Sequence, residues 1–234
     1  MFEVVTYATH SQGMFDELTK DGQVKVLGWG EKWNGYTDKY KGVLDYIKTL
    51  DEHDIIIFVD GFDTKILKSP EVARQRFIDM NVNVLFSKET KLPTNINRYI
   101  FGTCNGNHIA NTGLYMGYVK YIIPILKDSM KFKCSNDQMN LNKICEKYPY
   151  INVDINEDIF QNGGSDNTKA CFIQYNGTSF SLHYYAKEFA SRAYPLILAF
   201  LLTLILIFPK YKLHTSIIIF LFWVWFQIFA KKTC

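Results

Sequence analysis

The pattern of apolar and polar positions is clearest over residues 54–63, Asp-Ile-Ile-Ile-Phe-Val-Asp-Gly-Phe-Asp. Ile55–Val59 is an unbroken β-branched and aromatic run, which predicts a central strand covered on both faces. The run stops at Asp60, and Asp63 follows across a turn that Gly61 keeps tight. Upstream, residues 4–8 and 23–29 predict strands and 14–19 a short helix. Val43, Leu44, Ile47 and Leu50 form the apolar face of a further helix, preceded by Lys39 and Lys41. Downstream, Ser69-Pro70-Glu71 predicts a helix start with Ser as N-cap and Pro at the first position. Residues 83–86 and 109–118 predict strands, the second carrying Gly113 and Gly117, which implies close approach of backbone to something bound or simply tight packing. Residues 119–130 predict a helix broken or started near Pro124. Ser135 is placed to cap another, with Gln138 three residues on in a capping-box arrangement. Short strands follow at 150–154, 158–162 and 171–175, then an apolar stretch, 180–185, holding His183. This alternation makes residues 1–192 one α/β domain.

From residue 193 the pattern changes. Residues 193–208 and 216–230 carry no charge, and Pro209-Lys-Tyr-Lys212 separates them. A helix crossing the hydrocarbon core needs about 20 apolar residues, and flanking residues with snorkelling lysines can extend both stretches. A buried helical hairpin with no polar face is a poor alternative. The expectation is a membrane anchor over 193–234, a hydrophobic hairpin of two short transmembrane helices at about 193–209 and 213–230. The final Lys231-Lys232-Thr233-Cys234 resembles a C-terminal dilysine signal for retrieval to the endoplasmic reticulum. The apolar run at the N-terminus is interrupted at Glu3, so no signal peptide is expected and the domain is expected to face the cytosol.

Charge sharpens this division. The 234-residue chain has a net charge of +3, but the tail holds Lys210, Lys212, Lys231 and Lys232 without any acid. The rest is therefore nearly neutral, which leaves no electrostatic footprint for nucleic acid. The five cysteines show neither CxxC nor zinc-ligand spacing. A reduced compartment is the simplest reading, with one or two disulfides as the alternative.

The candidate chemistry lies at strand ends. Asp60 and Asp63 suit a divalent cation, because hard Mg²⁺ or Mn²⁺ prefers carboxylate oxygens together with substrate phosphates; helix capping is the bland alternative. The loop Thr9-His-Ser-Gln-Gly13 follows the first strand, where an α/β domain commonly holds a nucleotide. Neither GxGxxG nor GxxxxGK[ST] is present, which argues against a usual dinucleotide fold and a P-loop enzyme. Trp29 and Trp33 either fold onto the core or form a stacking wall. Asp137 lies where a helix dipole favours a carboxylate. His183 alone is more often a hydrogen-bonded core histidine than a metal ligand.

Six segments in order carry a family resemblance: Val-Val-Thr-Tyr-Ala-Thr (4–9), Leu-Gly-Trp-Gly-Glu-Lys-Trp-Asn (27–34), Ile-Ile-Phe-Val-Asp-Gly-Phe-Asp (56–63), Asn-Thr-Gly-Leu-Tyr-Met-Gly-Tyr (111–118), Ser-Asn-Asp-Gln (135–138) and Ile-Phe-Gln-Asn (159–162). Together they resemble the glycosyltransferase domain of procollagen lysyl hydroxylases and their viral relatives. The resemblance implies a GT-A-like, Rossmann-related mixed sheet flanked by helices. It also implies a UDP-glucose or UDP-galactose donor and a Mn²⁺ (or Mg²⁺) ion on Asp60, Asp63 and His183. Thr6 and Ala8 would line the uridine, with Gly61 in the metal turn. Trp33 and Lys39 or Lys41 would lie near the nucleotide. Asn111 and Gly113 would form the sugar wall, and Asp137 would orient the sugar or assist acceptor deprotonation. The neighbours of His183 depart from the family pattern, and Lys187 is the candidate phosphate contact there. The iron-binding residues of the hydroxylase part have no counterpart. The implied activity is hexosyl transfer to a hydroxyl of an acceptor protein or glycan, hydroxylysine or galactosylhydroxylysine of a collagen-like protein being the implied acceptor. A membrane-tethered interaction protein keeping the fold without turnover, or a metal-dependent phosphohydrolase, are the rival readings.

Overall fold

The computed structural model describes residues 1–89, 98, 101–106, 108–132, 136–175, 197, 199–200, 203 and 212–225. Two compact units divide the chain, Met1–Ser179 and Phe180–Cys234.

The first unit is a three-layer arrangement around a six-stranded mixed sheet. Its strands are β1 (Phe2–Tyr7), β2 (Val24–Leu27), β3 (Ile55–Val59), β5 (Val84–Lys88), β6 (Ala110–Tyr118) and β7 (Ile151–Asp154), in the order β2-β1-β3-β6-β5-β7. β6 runs antiparallel to β3 and β5, while the pairs β1–β2, β1–β3 and β5–β7 are parallel. A smaller sheet, β4-β9-β8, is built from Thr64–Ile66 (β4), Phe160–Asn162 (β8) and Phe172–Gln174 (β9). The sequence pattern gives no sign of β4, a three-residue strand too short to show a period.

Both faces of β3 are covered, which explains its lack of polar alternation. Ile56 and Phe58 join the core beneath α2 (Thr37–Ile47), α4 (Val119–Ser129) and α5 (Asp137–Ile144). Ile55, Ile57 and Val59 join a second core with Leu18 of α1 (Phe15–Thr19), Ala73 and Phe77 of α3 (Pro70–Asp79), and Phe160 and Phe172 of the small sheet. Burying side chains of this size contributes about 1.5–3 kcal/mol each.

Local signals set several boundaries as expected. Ser69 caps α3, accepting from Glu71 N at 3.3 Å, with Pro70 as the first helical residue. Three helices differ from expectation. α4 runs unbroken through Pro124, because burial of Ile122, Ile125 and Leu126 outweighs the one helical hydrogen bond that the proline cannot donate. α5 is capped by Asn136, whose Oδ1 accepts from Met139 N at 3.0 Å. Gln138 is not part of a capping box there; it donates to Glu89 Oε2 at 3.1 Å. Ser135 lies outside the described residues. Lys39 and Lys41 lie inside α2 rather than before it.

The reduced-cysteine expectation is corrected by a disulfide. Cys104 and Cys145 are bonded, with Cα atoms 5.0 Å apart, tying the segment before β6 to the end of α5. Nothing in their sequence spacing announces the pair, since it depends on how the intervening 41-residue separation folds back. Cys171 is a free thiol, and burial raises its pKa.

In the second unit the described helix is α6 (Lys212–Trp225), 14 residues long. Ile217, Ile218, Phe220, Leu221 and Trp223 are exposed on it. Among the described residues no helix is long and apolar enough to cross a membrane. Most of the first expected span and the final lysines lie outside the described residues.

Candidate active site

The chain direction in the sheet brings the chemistry together. Parallel β1 and β3 end at the same edge, and antiparallel β6 starts there. The register places Val59 opposite Leu114, and one step on Asp60 N donates to Gly113 O at 2.8 Å. Asp63 is tied to the small sheet, its carbonyl accepting from Tyr175 N at 2.7 Å. Gly61 sits between them because a Cβ there would lie 2.9 Å from Thr6 Oγ1 and 3.2 Å from Ala8 Cβ.

A buried lysine organises the acids. Lys39 Nζ lies 3.1 Å from Asp60 Oδ1 and 2.9 Å from Asp137 Oδ2. Burial opposes its charge most strongly, but Asp137 and Asp60 together hold its pKa above the ordinary lysine value. It therefore stays an ammonium throughout the physiological range. Asp137 opens α5, where the helix dipole favours a carboxylate. Its Oδ2 also accepts from Thr112 Oγ1 at 2.9 Å, and its carbonyl from Tyr40 OH at 3.1 Å. Tyr36 lies over the same lysine, 5.6 Å from ring centroid to Nζ, and its pKa is raised by burial and then by Asp137.

Asp60 and Asp63 converge on one point, occupied by the side-chain amide of Gln174. Its Nε2 donates to Asp60 Oδ2 at 3.1 Å and to Asp63 Oδ1 and Oδ2 at 3.1 and 3.3 Å. Two carboxylates sharing a donor in this way suit a hard divalent cation. Among the described residues no group of three or more His, Cys, Asp or Glu is arranged to hold a metal. His183 and Lys187 lie outside the described residues.

A cavity of about 360 Å³ opens beside the acids, lined among others by Ala8, Trp33, Tyr36, Lys39, Asp60 and Asp63. Gly61 also lines it. Thr6 is buried, its hydroxyl oxygen without a hydrogen-bond partner among the described residues, and the cavity wall passes instead through Tyr7, Ala8 and Thr9. Lys41 is exposed on α2 and takes no part in the lining, so Lys39 is the lysine at the acids. Trp33 is 43% exposed, so it is wall rather than core; Trp29, also exposed, stacks on Phe15 at 5.1 Å. Asn111 is buried: its Oδ1 accepts from Gly113 N at 2.7 Å and its Nδ2 donates to Glu89 Oε2 at 3.0 Å. Sequence reasoning passes over Gln174, Glu89 and Tyr36. A polar residue in an apolar strand is the one available signal for Gln174, in Phe-Ile-Gln.

The fold and site thus define an α/β domain whose ligand site lies at the carboxyl ends of parallel strands, with paired acids at its rim. The PLOD GT domain profile matches residues 2–197, and the chain belongs to that family, the glycosyltransferase domain of procollagen lysyl hydroxylases. Among solved structures it is similar to the galactosyltransferase LgtC in complex with donor and acceptor sugar analogs. That match has 12% identity and a TM-score of 0.47, over 82% of this chain and 96% of that one. It is also similar to A197 from STIV, with 11% identity and a TM-score of 0.44, over 65% of this chain and 80% of that one. No curated protein matches the chain in sequence.

Proposed function

We propose that this glycosyltransferase domain moves glucose or galactose from a UDP-sugar to an acceptor hydroxyl, with Mn²⁺ or Mg²⁺ held by Asp60 and Asp63. The observation that carries the reading is the convergence of these two carboxylates on one donor at the rim of the cavity. The cation would supply charge neutralisation at the diphosphate leaving group. His183, by resemblance, is the candidate for a third ligand.

The remaining roles follow from position. Trp33 and Tyr36 offer aromatic faces to the base, and Ala8 leaves room beside them. Lys39 fixes Asp60 and brings positive charge to the phosphate side. By resemblance Asn111 and Gly113 belong to the sugar wall; both are buried, and the Asn111 carboxamide holds the Gly113 amide. Asp137 Oδ2 already meets Lys39 and Thr112, which fixes the carboxylate in place and suits it to orienting the sugar.

The uncharged stretches at 193–209 and 213–230 support a membrane anchor. The Cys104–Cys145 pair supports an oxidising compartment for the domain, opposite to the cytosolic side expected from sequence. A luminal domain would meet hydroxylysine or galactosylhydroxylysine in a collagen-like acceptor.

The test is UDP release by the detergent-solubilised full chain from a panel of UDP-sugars, with and without Mn²⁺. Release from UDP-glucose or UDP-galactose that needs Mn²⁺ and vanishes in Asp60→Ala is expected. Undiminished release in that variant would remove the cation role, and no release with any UDP-sugar would remove the donor.

A further inference from the structure

Gln174 is the one polar residue of the strand Phe172–Gln174. Its side chain is buried, at the end of β9, and reaches across to the carboxylates that follow β3. Gly113 makes this reach possible: a Cβ at that position would lie 2.2 Å from Gln174 Oε1 and 2.4 Å from Nε2. The close approach that the glycine permits is therefore to the chain's own amide.

The amide is only half satisfied. Nε2 donates to both carboxylates, while Oε1 is buried without a hydrogen-bond partner among the described residues. A buried amide oxygen left without a hydrogen bond is costly, because it has lost its water and gained nothing in return. Reversing the amide would place that oxygen against two carboxylates, which is repulsive unless a cation lies between them. The arrangement thus has two consistent states. Without a cation, the N–H₂ end bridges Asp60 and Asp63. With one, the oxygen end becomes a ligand and its lost partner is replaced.

We propose that Gln174 is a ligand-exchange residue of the cation site. Its Nε2 keeps Asp60 and Asp63 together in the absence of metal, and its Oε1 coordinates the divalent cation once the amide has turned. This rests on the cation role of Asp60 and Asp63 proposed above. Carboxylate and amide oxygens are all hard donors, so the set matches Mg²⁺ or Mn²⁺ rather than a soft metal. The amide also lets the acids approach each other before the cation arrives, which limits their mutual repulsion in the metal-free protein.

The experiment measures Mn²⁺ binding to the full chain, without nucleotide, from the loss of the free-ion electron paramagnetic resonance signal. Gln174→Leu keeps the bulk and removes both functions, and its Mn²⁺ affinity is expected to fall about tenfold or more. Gln174→Glu keeps the length and supplies a charged oxygen. It should bind Mn²⁺ at least as tightly as the wild type while melting at a lower temperature in chelator, because three acids then converge. Affinity in Gln174→Leu that equals or exceeds the wild type would overturn the ligand role, the latter making the amide a mere competitor. Weaker binding by Gln174→Glu would overturn it as well, and this variant serves if Gln174→Leu does not fold. Wild-type protein that binds Mn²⁺ only through Asp60, with Gln174 variants unchanged, would leave the cation site standing and remove this inference alone. No Mn²⁺ binding by the wild type would remove both.

Discussion

Lys39 Nζ lies 2.9 Å from Asp137 Oδ2, and this contact joins the start of α2 to the start of α5 across the carboxyl edge of the sheet. The same ammonium lies 3.1 Å from Asp60, so a single buried cation fixes an acid at the strand end and an acid at a helix end. The site is held together by charge, with Lys39 and Asp137 largely buried and Asp60 partly open to the cavity.

Removing that ammonium takes from two carboxylates the counter-charge they share. Lys39→Met should lower stability by about 3–5 kcal/mol, the usual cost of breaking a buried pair from one side. Urea unfolding measures it. A variant as stable as the wild type would mean that the two acids find other partners and that Lys39 does not organise the site.

Trp33 forms wall rather than core, with Tyr36 packed edge-on at 5.7 Å. Trp33→Ala should raise KM for the UDP-sugar up to about tenfold, the worth of an aromatic stacking contact, and leave kcat within a factor of about two. A fall in kcat at constant KM would move Trp33 from binding to the chemical step. Initial-rate kinetics over donor concentration separate the two results.

The Cys104–Cys145 bond closes a loop between the segment before β6 and the end of α5. Cys145→Ser should cost about 2–4 kcal/mol of stability. Peptide mass mapping without reductant should recover the two cysteines in one linked fragment. Recovery of both as alkylated free thiols from protein made in the native compartment would remove the oxidising-compartment assignment.

Asp128 predicts a pH dependence. Hydrogen bonds from Lys131, Lys147 and Tyr148 hold its carboxyl well below the usual carboxylate range. A folded value below the unfolded one, about 3.9, adds stability that is present above that pH and lost as the pH falls through the folded value. Asp128→Asn should therefore be less stable than the wild type at pH 7, and the gap should narrow below about pH 4. Denaturant unfolding at pH 7 and pH 3 compares the two proteins, and a gap that stays constant with pH would show that the carboxylate charge contributes nothing.

Local chemistry made part of this protein legible. The β3 run and its trailing acids follow from a continuous apolar stretch that only a doubly covered strand can bury, and the α3 start follows from Ser69-Pro70. Sequence pattern could not choose between Lys39 and Lys41. Both lie on one helix, and only the packing of α2 against β1 and β3 decides that Lys39 turns to the acids while Lys41 meets solvent. Pro124 read as a break for the same reason: propensity was visible, and the burial that overrides it was not.

The sequence by itself determined the strands other than β4, the acid pair and the boundary between a nearly neutral domain and an apolar tail, because each is a pattern over neighbouring residues. Tertiary structure alone decided the Lys39–Asp137 contact, the Cys104–Cys145 bond and the entry of Gln174 between Asp60 and Asp63. Those pairings join residues far apart in the chain. They depend on strand order and on β6 running antiparallel, which local periodicity does not encode.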